Sequence, residues 1–522
     1  MRLQKTNWRR TTTVVAASTA AMLALAACGS SGSGSGGDDS GDGGPITAAV
    51  AYETTDYNPS ATSSALAMGA NWHVVEGLYN LDMTDYSVQE GLADGDPEEI
   101  SETEFEVTLR DGAKFSDGED VTADDVVESF ERAQAEGNIY VPMLSFIDSV
   151  SAKDDETVTI ETNKPFTLLK ERLAIVKVIP EDSSEKDMTS QPVGTGPWKY
   201  DSISETELTF SPNEHYNGEF EAQAESMKWD VIKDDTARTT ALQDGTVNIM
   251  ENVTADKVEM LENSGMDIAK EQGFNLPFVL FNTDKAPFDD PAVRQALLYA
   301  IDTDKMIDNA MDGEAAAATS FLPENHENYN EASNVFDHDP DKAEELLDEA
   351  DVDGLSLTLL TTDHSWIEAL APQVKNDLEE IGIDTTIKGE ASESLYANHL
   401  DVDDPEFDIA LAPGDPSVFG NDPDLLMQWW YGDNVWTDKR TQWQHSDPEA
   451  FEELHTILDD AVELEGDEQQ EKWNEAQDLL SEEVPLYPLF HRSMITAHNP
   501  EAVDNMTPIS TTGLWLLNAT SK

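Results

Sequence analysis

The sequence predicts an α/β protein, and three observations carry that prediction. Leu355 to Leu360 is an apolar run of strand length, Ile367 to Ile381 has the spacing of an amphipathic helix stopped by Gly382, and Ile383 to Ile387 alternates as a second strand. Strand, helix and strand within about 35 residues form a βαβ unit, which brings parallel pairing with it. Helix-start signals are the second observation. Asp290-Pro291 precedes Val293, Ala296, Leu297, Ala300 and Ile301, and Asp339-Pro340 precedes Ala343, Leu346, Leu347 and Ala350. Third, past the N-terminal segment no run approaches 18 apolar residues, so these are expected to be helices of a globular protein rather than membrane spans.

The chain opens on a basic segment (Arg2, Lys5, Arg9, Arg10) and an uncharged stretch from Thr11 to Ala27, the layout of a secretory leader. Leu25-Ala26-Ala27 offers small residues at the cut, and the next residue, Cys28, is the only cysteine in the chain. This arrangement resembles a bacterial lipobox, which implies removal of residues 1–27 and acylation of Cys28. Two or three acyl chains, at about 0.8 kcal/mol per buried CH₂, anchor a protein stably. The expected location is the extracytoplasmic face of the bacterial cell membrane. Residues 28–44 are almost all Gly, Ser and Asp after the cysteine, which predicts a flexible tether. Asp38, Ser40, Asp42 and Gly43 mimic the start of a calcium loop, but the twelfth position is Ala49 and lacks the bidentate glutamate.

Ile46 to Tyr52 then reads as a strand, Asn58-Pro59 as a turn, and Ala65 to Tyr79 as a helix. Glu104 to Leu109 alternates, with Phe105, Val107 and Leu109 on one face. Asp111-Gly112 and Asp117-Gly118 mark tight turns. Thr122 with Asp125 three residues on predicts a capping box in its aspartate form, ahead of Val126, Val127 and Phe130 on the buried stripe. No internal repeat is present.

The chain carries 30 Lys+Arg against 107 Asp+Glu, a net charge of −77, and loss of the leader makes it more negative still. Such a surface excludes nucleic acid as a partner. Carboxylates on nearly every predicted helix point to a solvated acidic exterior. A lone cysteine leaves no disulfide, so the core alone must hold the fold. About 480 residues after the tether suffice for two or three domains.

Four blocks, in order, carry a family resemblance. They are Glu76-Gly77-Leu78-Tyr79; Leu109 to Gly118 continuing through Val121 to Val126; Pro192-Val193-Gly194-Thr195-Gly196-Pro197-Trp198; and Phe281-Asn282-Thr283 followed by Pro287 to Ala296. With them the chain resembles the extracytoplasmic solute-binding proteins of family 5, the dipeptide- and oligopeptide-binding type that serves peptide and nickel ABC importers. The resemblance implies a two-lobed fold of the periplasmic-binding-protein type II kind, with an extra inserted domain and a ligand cleft between the lobes. It implies domain I as 45–77, 190–283 and 488–522, domain II as 78–189 and domain III as 284–487, with inter-lobe crossings at Phe281-Asn282-Thr283 and Val484 to Pro488. The implied partners are a peptide ligand and the permease and ATPase subunits of an importer; the protein itself is expected to be a monomer without a cofactor. A receptor for nickel or another metal chelate is the alternative within the family. The glycines at 112, 118, 194 and 196 are expected to supply φ > 0. Gly194-Thr195-Gly196 matches neither a dinucleotide fingerprint nor a phosphate loop.

In the family an aspartate of a domain III loop pairs with the ligand's α-ammonium. The loop here is Leu411 to Asp424, and the family's position, four before Pro423, holds Phe419. Asp415 takes the role if the loop carries an insertion, and Asp422 is its rival; Asp424 is expected to lie exposed. Trp429, Trp430 and Tyr431, with Trp436 and Trp443, follow at once, as either core packing or a cleft wall that stacks on the ligand. His399, His445, His491 and His498 are the late-chain residues that a metal chelate would use. The sequence has no His-x-His or His-Glu-x-x-His pair, no nucleophile elbow and no spare thiol, so a binding protein rather than an enzyme is expected.

Overall fold

The computed structural model describes residues 44–522. The leader, Cys28, the calcium-like Asp38 to Gly43 and the tether up to Gly43 therefore lie outside the described residues. Two sheets dominate. The first has eight strands, in the order Asp267–Gln272, Phe490–His498, Ile249–Met250, Ile46–Val50, Met227–Val231, Glu207–Pro212 and Trp198–Ile203, with Ala315–Ala317 also paired to Phe490–His498. Ile46–Val50 runs parallel to both its neighbours. In the second sheet the order is Asp384–Glu390, Ser356–Thr362, Ile409–Gly414, Leu276–Phe281 and Leu486–Pro488. Its Ser356–Thr362 strand is parallel to Asp384–Glu390, with Leu357 opposite Thr385, and the helix Ser365–Glu380 makes the crossover. This is the βαβ unit read from the sequence, stopped where Gly382 turns at φ +84°. Leu276–Phe281 is buried at every position because it runs inside its sheet, flanked on both sides, and so reads as an unbroken apolar run.

A four-stranded antiparallel sheet, Glu98–Ser101, Glu104–Thr108, Thr157–Thr162 and Ile147–Asp154, forms a separate insert with the helix Ala123–Ala133. Thr122 and Asp125 make the predicted capping box, the Asp125 carboxylate accepting from the Thr122 amide at 2.8 Å. The helices Pro291–Ala300 and Pro340–Glu349 start at Asp290 and Asp339, each accepting a backbone N–H at its own N-terminus.

The chain changes sheet twice, at residues 273–275 and at Leu489, and the two crossings lie side by side. Arg492 N–H donates to Asn275 O at 2.7 Å and Leu489 N–H to Pro277 O at 3.0 Å. Phe281 thus ends a strand of the second sheet, and the first crossing lies just before that strand rather than after it.

Two local expectations need correction. The first helix is Ala65–Val74 and stops short of Tyr79, because Val75 turns extended and Glu76 O accepts from Val178 N–H. A Cβ at Gly77 would stand 2.6 Å from Val176 O, so this pairing, not helix propensity, sets the end. Gly112 and Gly118 do have positive φ, at +69° and +96°, whereas Gly194 and Gly196 do not. Those two let the chain approach the end of the first helix: a Cβ would lie 2.2 Å from Val74 O and 2.7 Å from His73 O respectively. The blocks also interlock, Arg110 pairing with Glu76 at 2.9 Å. They build scaffold.

His73, inside the first helix, is fully buried. Its Nδ1–H faces Gly69 O at 2.9 Å and its Nε2 accepts from Leu516 N–H at 2.9 Å, which ties the helix to the C-terminal segment. Burial pushes its pKa down to about 4. Between pH 6.5 and 4 the unfolded chain takes up this proton and the folded chain does not, so stability falls across that window, by about 3 kcal/mol from this residue. Urea midpoints at pH 7 and pH 5 check this. His73→Gln should be less stable than the native protein at pH 7 and flatter in its pH dependence; an unchanged slope would remove His73 from the account.

Candidate functional site

The parallel strands of both sheets end at the same place, where the two crossings meet. Tyr52 follows Ile46–Val50, and Glu251 and Asn252 follow Ile249–Met250; from the other sheet, Trp366 follows Ser356–Thr362 and Asp415 follows Ile409–Gly414. Carboxyl ends of strands in open α/β sheets are where ligands bind.

Asp415 is the center of this region. Its Oδ2 accepts from the Thr512 amide at 2.9 Å, the Thr512 hydroxyl at 2.9 Å and the Thr511 hydroxyl at 3.1 Å, while Oδ1 accepts from Ser417. All these donors are neutral. Burial pushes the Asp415 carboxyl up and the donors hold it down, the burial prevailing. Tyr86 approaches the same carboxylate from the short hairpin Tyr79–Leu81 and Val88–Glu90. Its φ of +60° is a costly conformation for an aromatic residue, of the kind that collects at binding sites. Neither Tyr86 nor Tyr52 was expected from sequence, because nothing in a lone tyrosine shows a left-handed backbone or a remote carboxylate.

Arg492 lies on the crossing strand with 6% of its surface exposed, its guanidinium 4.2 Å from the Trp366 ring centre. Burial pushes it down while Tyr52, Asp415 and Glu251 push it up, the burial prevailing. Glu251 is 3% exposed, and burial raises its carboxyl.

Asp422 is elsewhere. It caps the helix Pro423–Tyr431, accepting from Leu425 N–H at 2.9 Å, and grips Arg172 of the insert with both oxygens, at 3.1 and 2.7 Å. Asp424 is buried beside it on the same guanidinium, contrary to its expected exposure. The aromatic run divides. Trp430 packs among Phe274, Phe278, Phe321 and Trp436, and Tyr431 donates from its buried hydroxyl to Leu486 O at 2.7 Å; both are core. Only Gly414 lets Trp430 this close, since a Cβ there would meet its ring at 2.3 Å. Trp429 is half-buried against Phe419 and, with Trp436, lines a cavity of about 490 Å³ whose other wall is residues 137–142 of the insert. His399 and His445 rest on Glu390 and Asp438, His491 is buried against Phe274, and His498 lies near Asp267. Among the described residues no group of three or more His, Cys, Asp or Glu is placed to hold a metal ion.

Two sheets joined by paired crossings, with polar groups gathered at the junction, define a two-lobed α/β binding protein. Residues 87–439 match the sequence model of the bacterial extracellular solute-binding proteins, family 5 Middle, and the chain belongs to that family. The chain is 26% identical over 488 residues to the glutathione-binding protein GsiB of Salmonella paratyphi A, covering 90% of this chain and 92% of the relative. It is 28% identical over 348 residues to the GsiB of Pectobacterium atrosepticum, covering 64% and 67%. Among solved structures it superposes on a dipeptide binding protein from Pseudoalteromonas in complex with Met-Leu (TM-score 0.79, 21% identity, 92% of this chain and 100% of that one). It also superposes on DppA from Helicobacter pylori in complex with peptide STSA (0.80, 21%, 93% and 99%) and on NikA from Staphylococcus aureus in complex with Ni(L-His)2 (0.78, 20%, 92% and 100%). The fold is therefore the two-lobed periplasmic-binding-protein type expected from sequence, and these matches are binding proteins rather than enzymes. Among the described residues no helix is long and apolar enough to cross a membrane.

Proposed function

We propose that this protein captures short peptides outside the membrane and delivers them to the permease of an ABC importer driven by its ATPase subunits. It does so as a monomer anchored through lipidated Cys28. One observation carries the peptide reading. Asp415 is an enclosed carboxylate at the junction of the lobes whose direct partners are four neutral hydrogen bonds, so a ligand ammonium supplies the missing countercharge. The relatives and neighbours named for glutathione, for Met-Leu and for the peptide STSA favour the same ligand class, glutathione being itself a tripeptide. We take 78–189 as the inserted domain and place the other domain limits at the two sheet crossings. Ligand binding is proposed to shift an open–closed equilibrium of the lobes.

Mass spectrometry of protein purified from membranes tests the proposal in one preparation. A diacylated Cys28 at the N-terminus and a co-released peptide of a few residues are the expected results. An unmodified N-terminus removes the anchor, and a nickel chelate in place of a peptide establishes the alternative receptor.

A further inference from the structure

Three of the four hydrogen bonds on Asp415 come from the C-terminal segment, which is fastened to the opposite lobe. Asp415 follows Ile409–Gly414 of the second sheet, whereas its Oδ2 accepts from the Thr511 hydroxyl and from the Thr512 amide and hydroxyl. On the C-terminal side of these threonines, Leu516 N–H rests on His73 at 2.9 Å and the Trp515 ring lies 6.2 Å from that of Trp72. His73 and Trp72 belong to the helix Ala65–Val74, whose Asn71 accepts from Tyr200 of the first sheet at 2.8 Å. On the N-terminal side, Asn499 N–H donates to Asn248 O, just ahead of the first-sheet strand Ile249–Met250.

The same segment lies directly on a crossing between the sheets. Gly273 does not have a positive φ, yet a Cβ there would stand 1.6 Å from Ser510 O, and its three nearest atoms all belong to Ser510. Only the passage of Ser510 therefore requires glycine at this position. Asn275, in the same crossing, donates from Nδ2 to Thr512 Oγ1 at 3.2 Å. Gly513, at φ +129°, then turns the chain onto the helix, where a Cβ would meet the Trp72 ring at 3.0 Å.

Residues 510–513 thus form a strap held by the crossing and by one lobe, whose threonines reach the carboxylate of the other. Thr511 and Thr512 are 1% and 3% exposed. An ionised carboxylate offers about four acceptor positions, and hydrogen bonds to a charged group are the strong ones. Parting the lobes takes three of these bonds from Asp415 together, so the strap favours the closed form. Its donors also all fall on Oδ2, while Oδ1 has the Ser417 hydroxyl alone.

We propose that Thr511 and Thr512 are positioning residues that pin the lobes shut across the junction and turn the Oδ1 side of Asp415 toward the ligand. The second part rests on the reading of Asp415 as the partner of a peptide ligand.

Five proteins test this on the full chain with Cys28→Ser. They are the native site, Thr511→Val with Thr512→Val, Thr512→Ser, Gly273→Ala and Asp415→Ala. The valines remove both hydroxyls at nearly constant shape, serine keeps one, and alanine at 273 displaces Ser510. Small-angle scattering without added ligand should give a larger radius of gyration for the valine, Gly273→Ala and Asp415→Ala proteins than for the native site, and no change for Thr512→Ser. Adding the valines to Asp415→Ala should expand it no further, because their acceptor is already gone. In stopped-flow release of alanylphenylalanine the valine protein should be at least about tenfold faster than native, and Thr512→Ser within about threefold. Gly273→Ala carries the comparison if the valine protein does not fold. Equal radii throughout, or an expansion by the valines that persists without Asp415, overturn the pin whatever the peptide does. An expanded variant that releases the peptide at the native rate overturns the positioning role. Expansion in the variants with no peptide bound by any of the proteins keeps the pin and removes the peptide reading.

Discussion

Asp415→Asn is expected to weaken binding of a free peptide by well over tenfold while leaving an N-acetylated peptide almost unaffected. In the proposed mode of binding the ammonium and Asp415 are desolvated together as the lobes close, and truncating one partner of such a pair costs about 2–5 kcal/mol. The acetylated peptide has already lost that charge, so the substitution takes little more from it. With its amide oxygen on the Oδ2 side, asparagine still accepts from Thr511 and Thr512, and the Ser417 hydroxyl, which faces Oδ1, can turn to accept from the new NH2, which keeps the loop's shape. Because burial raises the Asp415 carboxyl, affinity for the free peptide should decline as the pH falls through that raised value, and the acetylated peptide should not follow. Asp337→Asn, on an exposed loop, is the control. Calorimetry with both peptides decides; equal losses would make Asp415 a loop-shaping residue and nothing more.

The second large effect belongs to Arg172, which is 1% exposed and clasped by Asp422 and Asp424. Both carboxylates raise its affinity for its proton, burial opposing them, and it stays charged. Arg172→Met leaves two carboxylates buried side by side with no cation, and breaking a buried pair in this way costs about 3–5 kcal/mol. The triple variant Arg172→Met, Asp422→Asn, Asp424→Leu should recover most of that loss, since asparagine still caps the helix and no charge remains to be desolvated. Urea unfolding of the three proteins is the measurement. A loss below about 1 kcal/mol in Arg172→Met would mean that water reaches the triad. Arg172 belongs to the insert and its partners to the N-terminus of the helix Pro423–Tyr431, which follows Ile409–Gly414 in the chain, so the triad also ties the insert to the lobe of the second sheet.

Local chemistry was legible wherever it acts within a few residues. Asp290-Pro291 and Asp339-Pro340 start helices because a side-chain oxygen and a missing N–H satisfy orphan donors one turn away, and no distant group need agree. The βαβ unit was legible for the same reason: the apolar periods of Leu355 to Leu360 and Ile367 to Ile381 state which faces must be buried. The family blocks identified the scaffold, although the reason for Gly194 and Gly196 lay in a helix end 120 residues earlier.

The aspartates show where sequence reasoning stops. Asp415, Asp422 and Asp424 share one acidic loop, and by residue type nothing separates them. Their roles were decided by partners far along the chain: Thr511 and Thr512 at the junction for Asp415, and Arg172 in the insert for the other two. The tryptophans divided likewise, Trp430 into the core and Trp429 onto a cavity wall, according to which side of one helix met Phe274 and Phe278. What the sequence alone determined is the α/β class, the caps, the net negative charge and the family. Which charge is paired and which is left open was decided only by the tertiary structure, because a carboxylate's countercharge is set by distance in space, which local sequence does not encode.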